Sequence, residues 1–199
     1  MEADRGCTRS LFKGVTPFGS LVDPNVDPHE FDTELAAVWY AANYYFETSY
    51  NARREFGGIV FRKPSGKYGL TIQRDGTADA IRYRGELAPP DAVAVAFWHT
   101  HVPKHPLYEA ALTLLEGKSW RDLSGDPDDP DDESEDIGLI RRLSKRARKM
   151  GYAHQMLSIY VVTDIQIQRY TPNARKPLAT WAKSPPSHFA RRMAAEARR

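Results

Sequence analysis

Residues 91–101 read DAVAVAFWHTH, with Pro89 and Pro90 just ahead and Pro103 close behind. Every residue from Ala92 to Trp98 is apolar, and the run then ends in two histidines separated by one threonine. A short apolar run bounded by prolines reads as a buried strand, here over about 92–100. A run with no polar alternation belongs to a central strand covered on both faces. Residues two apart on a strand point the same way, so His99 and His101 project side by side where the strand leaves the core. Two imidazoles so placed form a metal-chelating pair.

The segments around this strand alternate between the two periodicities. Leu35, Val38, Trp39, Ala42 and Phe46 recur at helical spacing behind Asp32 or Thr33, which predicts a helix over about 33–49. Its aromatics Trp39, Tyr40, Tyr44 and Tyr45 are expected to pack on a sheet. Residues 56–63 and 67–74 read as a hairpin around a Pro-Ser-Gly-Lys turn, and DAIRYR as a further short strand. LYEAALTLLEGK is a predicted helix ending near Gly117. SWRDLSGDPDDPDDE has turn formers and acids and little to bury, and reads as a mobile loop. SEDIGLIRRLSKRARKMG carries Ser134 as N-cap, acids in its first turn, bases in its last and Gly151 beyond its end, the pattern of a helix. QMLSIYVVTDIQIQRYTP gives two strands joined near Thr163 and Asp164. The expected class is α/β (α+β), a mixed sheet with flanking helices. Residues 1–31 form an irregular arm, residues 32–172 the domain, with an acidic insertion at about 118–133, and residues 173–199 a basic tail or helix.

The totals limit the function. The chain has 199 residues, 41% hydrophobic and 27% charged, which suits one globular domain. A formal net charge of +2 makes nucleic acid an unexpected partner. The basic stripe from Arg141 to Lys149 reads as the wet face of a helix. The single cysteine, Cys7, excludes an intrachain disulfide framework. No apolar run is long enough to span a bilayer, and the N-terminus lacks the apolar core of a secretory signal. The expectation is a cytoplasmic protein, with delivery out of the cell open to routes that need no cleaved signal.

A catalytic zinc takes three protein ligands and keeps one position for water. His99 and His101 supply two. Asp136, in the first turn of the helix after the acidic loop, is the candidate third, because a helix start favours an anion. Asp126, Asp128, Asp129, Asp131 and Asp132 are alternatives for that place. Hydrolysis also needs a general base, and Glu55 opens the strand EFGGIVF, where Gly57 and Gly58 allow close approach to neighbouring chain. His105 is a candidate fourth ligand or a partner to one, but a loop histidine before proline reads first as solvated. His29, His154 and His188 stand apart from this constellation and carry no expectation.

Taken together, these stretches resemble the JAB/JAMM (MPN-like) metalloprotease family. REFGGIVF is similar to its Glu-x-x-Gly strand, FWHTH to its His-x-His strand, and SEDIG to its Ser-x-x-Asp element, over residues 32–172. The likeness is closer still to a bacterial branch associated with RHS and other polymorphic toxins, through Asn51–Gly58, His99–His101 and Tyr170–Pro172. The resemblance implies a cytidine-deaminase-like architecture and hydrolysis of peptide or isopeptide bonds. It implies Zn²⁺ on His99, His101 and Asp136, Glu55 as the base, and Ser134 as donor to the oxyanion. A protein or peptide substrate is the implied partner, in an effector or toxin-associated setting. In this chain Val102 separates His101 from Pro103, and Glu135 alone separates Ser134 from Asp136. That spacing motivates a second expectation, a non-catalytic module binding a partner protein of a secretion or toxin system. A nuclease toxin is a third, weakened by the absence of a second His-x-Thr/Ser motif.

Overall fold

A computed structural model describes residues 26–74, 76–77, 81, 88–102, 124, 136–174 and 176–183. Within them lie three helices, α1 (Glu34–Tyr44), α2 (Phe46–Ala52) and α3 (Asp136–Lys149). The described residues also hold six strands: β1 (Gly57–Arg62), β2 (Tyr68–Leu70), β3 (Val93–Thr100), β4 (Ser158–Val162), β5 (Gln166–Tyr170) and β6 (Ala179–Ala182). They form one mixed sheet in the order β2-β1-β3-β4-β5-β6. Only β3 and β4 run parallel; the other pairs are antiparallel.

The apolar run of β3 is buried from both sides, as its sequence requires. On one face Phe97, Ile59, Phe61, Ile159 and Val161 pack against Ile140, Leu143 and Ala147 of α3. On the other, Ala96, Trp98, Val60, Tyr160 and Val162 pack against Ala37, Val38, Ala41 and Phe46. Each fully buried side chain of this size is worth about 1.5–3 kcal/mol, so the two layers hold the sheet rigid between them. The register between β1 and β3 slips at Val60/Phe61, where Val95 has no partner opposite. Such a bulge turns the following side chains, so Ala94 and Phe97 share a face despite their odd separation.

Three features depart from the sequence-based expectations. The first helix breaks at Tyr45, whose φ of −104° lies well off the ideal helical value. The Tyr45 ring stacks on Trp98 at 6.0 Å, and its hydroxyl donates to Asp27 Oδ2 at 2.6 Å. Tyr44 does not pack on the sheet; it is 63% exposed and stacks on Tyr40 instead. The sheet also continues past Pro172, because β6 pairs with β5 along Gln166–Arg169. The acidic loop apart from Ser124, the helix expected near residues 107–118, the strand DAIRYR apart from Ile81, and the tail from residue 184 lie outside the described residues.

The helix α3 follows its sequence. Ile137, Ile140, Leu143 and Ala147 recur on the buried side, and Arg142, Lys145, Arg146, Arg148 and Lys149 are exposed. Gly151, at φ +76°, ends it in the left-handed conformation that a side chain disfavours.

Lys183, just after β6, is 6% exposed; its ammonium donates to the carbonyls of Thr163 at 3.0 Å and Ala42 at 3.3 Å. The ammonium also lies 4.2 Å from the Phe46 ring centroid. Burial pushes its pKa down to about 8, against the opposing pull of Asp164. The folded pKa thus lies below the unfolded one, about 10.4. Between these values the unfolded chain holds a proton that the folded chain has released, so folding gains stability as pH rises. We expect urea unfolding to show this gain between pH 8 and 10, on the order of 2 kcal/mol, in the wild type and not in Lys183→Met. Equal pH slopes in the two proteins would contradict it.

Candidate metal centre

The end of β3 is fixed by a polar knot on the α1–α2 face. Thr100, between the two histidines, accepts the Phe56 N–H on its Oγ1 at 2.9 Å and meets the Ser49 hydroxyl at 2.5 Å. Its backbone N–H donates to the Phe56 carbonyl at 2.8 Å, and His101 N–H donates to the Val162 carbonyl at 2.9 Å. The strand end is therefore held from β1, α2 and β4 at once, with His99 and His101 on the opposite face, toward α3.

There the two imidazoles converge as the spacing predicts. His99 is fully buried and His101 is 7% exposed. Their Nε2 atoms are 2.8 Å apart. Asp136, the first residue of α3, closes the group: Oδ1 is 3.1 Å from His99 Nε2 and Oδ2 is 3.1 Å from His101 Nε2. Burial opposes the Asp136 charge, but the two imidazoles outweigh it and hold the carboxyl well below the usual carboxylate range. The helix N-terminus favours the same anion.

The donor set fits a metal ion. His99, His101 and Asp136 each offer one ligand atom, and these atoms lie within 4.8 Å of one another. Ligands in a tetrahedral zinc site stand about 3.4 Å apart, between the 2.8 Å of the closest pair and the 4.8 Å spread of the group, so sub-ångström to ångström-scale shifts of the side chains are needed. Two imidazole nitrogens at 2.8 Å also cannot both direct an N–H at the space between them, whereas a cation there satisfies both lone pairs. One departure is plain: His99 Nδ1 is buried with no hydrogen-bonding partner among the described residues. A metal-bound histidine usually donates that N–H to an acceptor.

Glu55 precedes β1 rather than opening it, and its backbone N–H donates to the Thr77 carbonyl at 2.7 Å. The side chain is 5% exposed. Gly57 pairs with His99, and the bonds between Phe56 and Thr100 continue that register. Extended by two residues, that register sets Glu55 level with His101. The close approach expected at the two glycines is present. A Cβ on Gly57 would come within 2.6 Å of the Trp98 carbonyl oxygen and 3.0 Å of His99 Cβ.

Ser134, His105 and the alternative carboxylates from Asp126 to Asp132 lie outside the described residues. His29 is engaged with Asp27 at 2.7 Å, remote in sequence from the centre. Sequence reasoning missed Ser124. Its Oγ and N–H donate to Asp136 Oδ2 at 2.9 and 3.1 Å. Its Oγ also accepts the Asp136 N–H at 3.2 Å, and its carbonyl accepts the Ile137 N–H at 3.3 Å. Ser124 thus caps α3 from across a long connection.

Compared with protein-family models, curated proteins and solved structures, the chain gives no match. Among the described residues, no helix is long and apolar enough to cross a membrane.

Proposed function

We propose that this chain is a zinc-dependent hydrolase of peptide or isopeptide bonds, with a JAB/MPN-like architecture. The observation that carries the proposal is the convergence of His99, His101 and Asp136 at 2.8–3.1 Å, with the buried Glu55 two residues ahead of Gly57, the partner of His99. His99, His101 and Asp136 hold the ion. Held there, zinc would supply Lewis acidity, lowering the pKa of water and polarising a carbonyl. Glu55 takes the proton of the attacking water and returns it to the leaving nitrogen. The near-complete burial of this group strengthens its electrostatics. Ser134 is the proposed donor to the oxyanion, on the strength of the sequence resemblance alone.

The test is cleavage of a quenched-fluorescent peptide library, and of a branched peptide carrying a lysine isopeptide bond, by zinc-loaded protein. Cleavage is expected to stop on chelation by 1,10-phenanthroline and to return when zinc is added back. Zinc-loaded protein that cuts neither substrate would contradict the hydrolase reading and favour a metal-stabilised binding module.

A further inference from the structure

Resting on the metal-centre reading, the geometry points to Ser124 as the positioning residue that sets how Asp136 meets the ion. Two donors from one residue converge on a single carboxylate oxygen: Ser124 Oγ at 2.9 Å and Ser124 N–H at 3.1 Å, both on Asp136 Oδ2. No described residue donates to Oδ1 apart from the His99 ring nitrogen that faces it at 3.1 Å. The carboxylate is therefore asymmetric. The serine's two donors engage Oδ2, which also faces His101 Nε2 at 3.1 Å, whereas among the described residues Oδ1 faces only His99 Nε2. Donors concentrated on one oxygen favour binding of a cation through the other, Oδ1, over chelation through both. That preserves the open coordination position that hydrolysis needs.

The same serine fixes the backbone from which Asp136 projects. It accepts the Asp136 N–H on Oγ and the Ile137 N–H on its carbonyl. Both are helix-terminal donors that have no partner within the helix. Ser124 thus orients the ligand's side chain and main chain together. It does so from a position 12 residues upstream, within the connection between the second and third ligands. Hydrogen bonds to ligating groups typically change metal affinity 10- to 100-fold when removed.

The test uses full-length apo-protein titrated with Zn²⁺ against a competing chromophoric chelator, and with Co²⁺ followed by its visible spectrum. Ser124→Ala is expected to weaken Zn²⁺ binding 10- to 100-fold, with an altered Co²⁺ band pattern. Ser124→Thr, which keeps the hydroxyl and the N–H, is expected to restore both. Thermal unfolding of the apo-proteins separates loss of a helix cap from loss of ligand orientation. If Ser124→Ala lowers apo stability but binds Zn²⁺ as tightly as the wild type, Ser124 is a cap only and the inference is overturned. Wild-type protein that binds neither ion overturns the metal centre itself, a result distinguishable from the first.

Discussion

Glu55→Gln is expected to lower hydrolysis by the zinc-loaded protein by about 10²–10⁴-fold while leaving bound zinc unchanged. The substitution keeps the shape of a side chain that is 5% exposed, and removes only its ability to take a proton. Glu55 stands level with His101 through the Gly57–His99 register, yet is not one of the three converging ligands. Its proposed work is thus separable from metal retention. Single-turnover cleavage assays beside elemental analysis of the same sample read both quantities. Loss of zinc along with activity would show that Glu55 is a ligand. Activity within a factor of a few of wild type would remove it from the mechanism.

Gly58→Ala is expected to cost about 4 kcal/mol or more, enough to unfold a domain of ordinary stability. A Cβ at Gly58 overlaps the Thr71 carbonyl oxygen and comes within 2.6 Å of its carbonyl carbon. Neither partner can yield cheaply. Thr71 accepts the Ile59 N–H on its hydroxyl at 2.8 Å, donates to the Ile59 carbonyl at 2.9 Å, and accepts the Trp98 indole N–H at 3.2 Å. Moving it breaks the β1 edge and disturbs a fully buried tryptophan. Gly66→Ala is the control. Gly66 has φ +85°, and only the tip of Arg62 lies near its open side, so about 1 kcal/mol is expected there. Urea unfolding of the three proteins checks the ranking. A Gly58→Ala midpoint equal to that of wild type would mean that β1 and Thr71 are not this close.

The sheet's centre was legible because its signals are local. The apolar run before Trp98 required burial on both sides, and the histidines' separation required a shared face. Asp136 was legible as an anion at a helix start, since the acids and bases of α3 are ordered along its length. Ser124 was not. The capping rule looks for the cap next to the helix and finds Ser134; the residue that caps the Asp136 N–H arrives from upstream through a long connection. The break at Tyr45 was equally hidden, because nothing in the helical pattern marks it. It coincides with a hydroxyl reaching Asp27, a partner outside the helix. β6 escaped notice because Ala179–Ala182 is a four-residue edge strand without a buried apolar side chain.

The most direct test of the metal centre is the metal content of untagged, purified protein, beside the His99→Ala/His101→Ala double mutant. Near-stoichiometric zinc in the wild type and none in the mutant is the expected result. No bound metal after incubation with zinc would contradict the centre; iron in its place would keep the centre and contradict the zinc hydrolase.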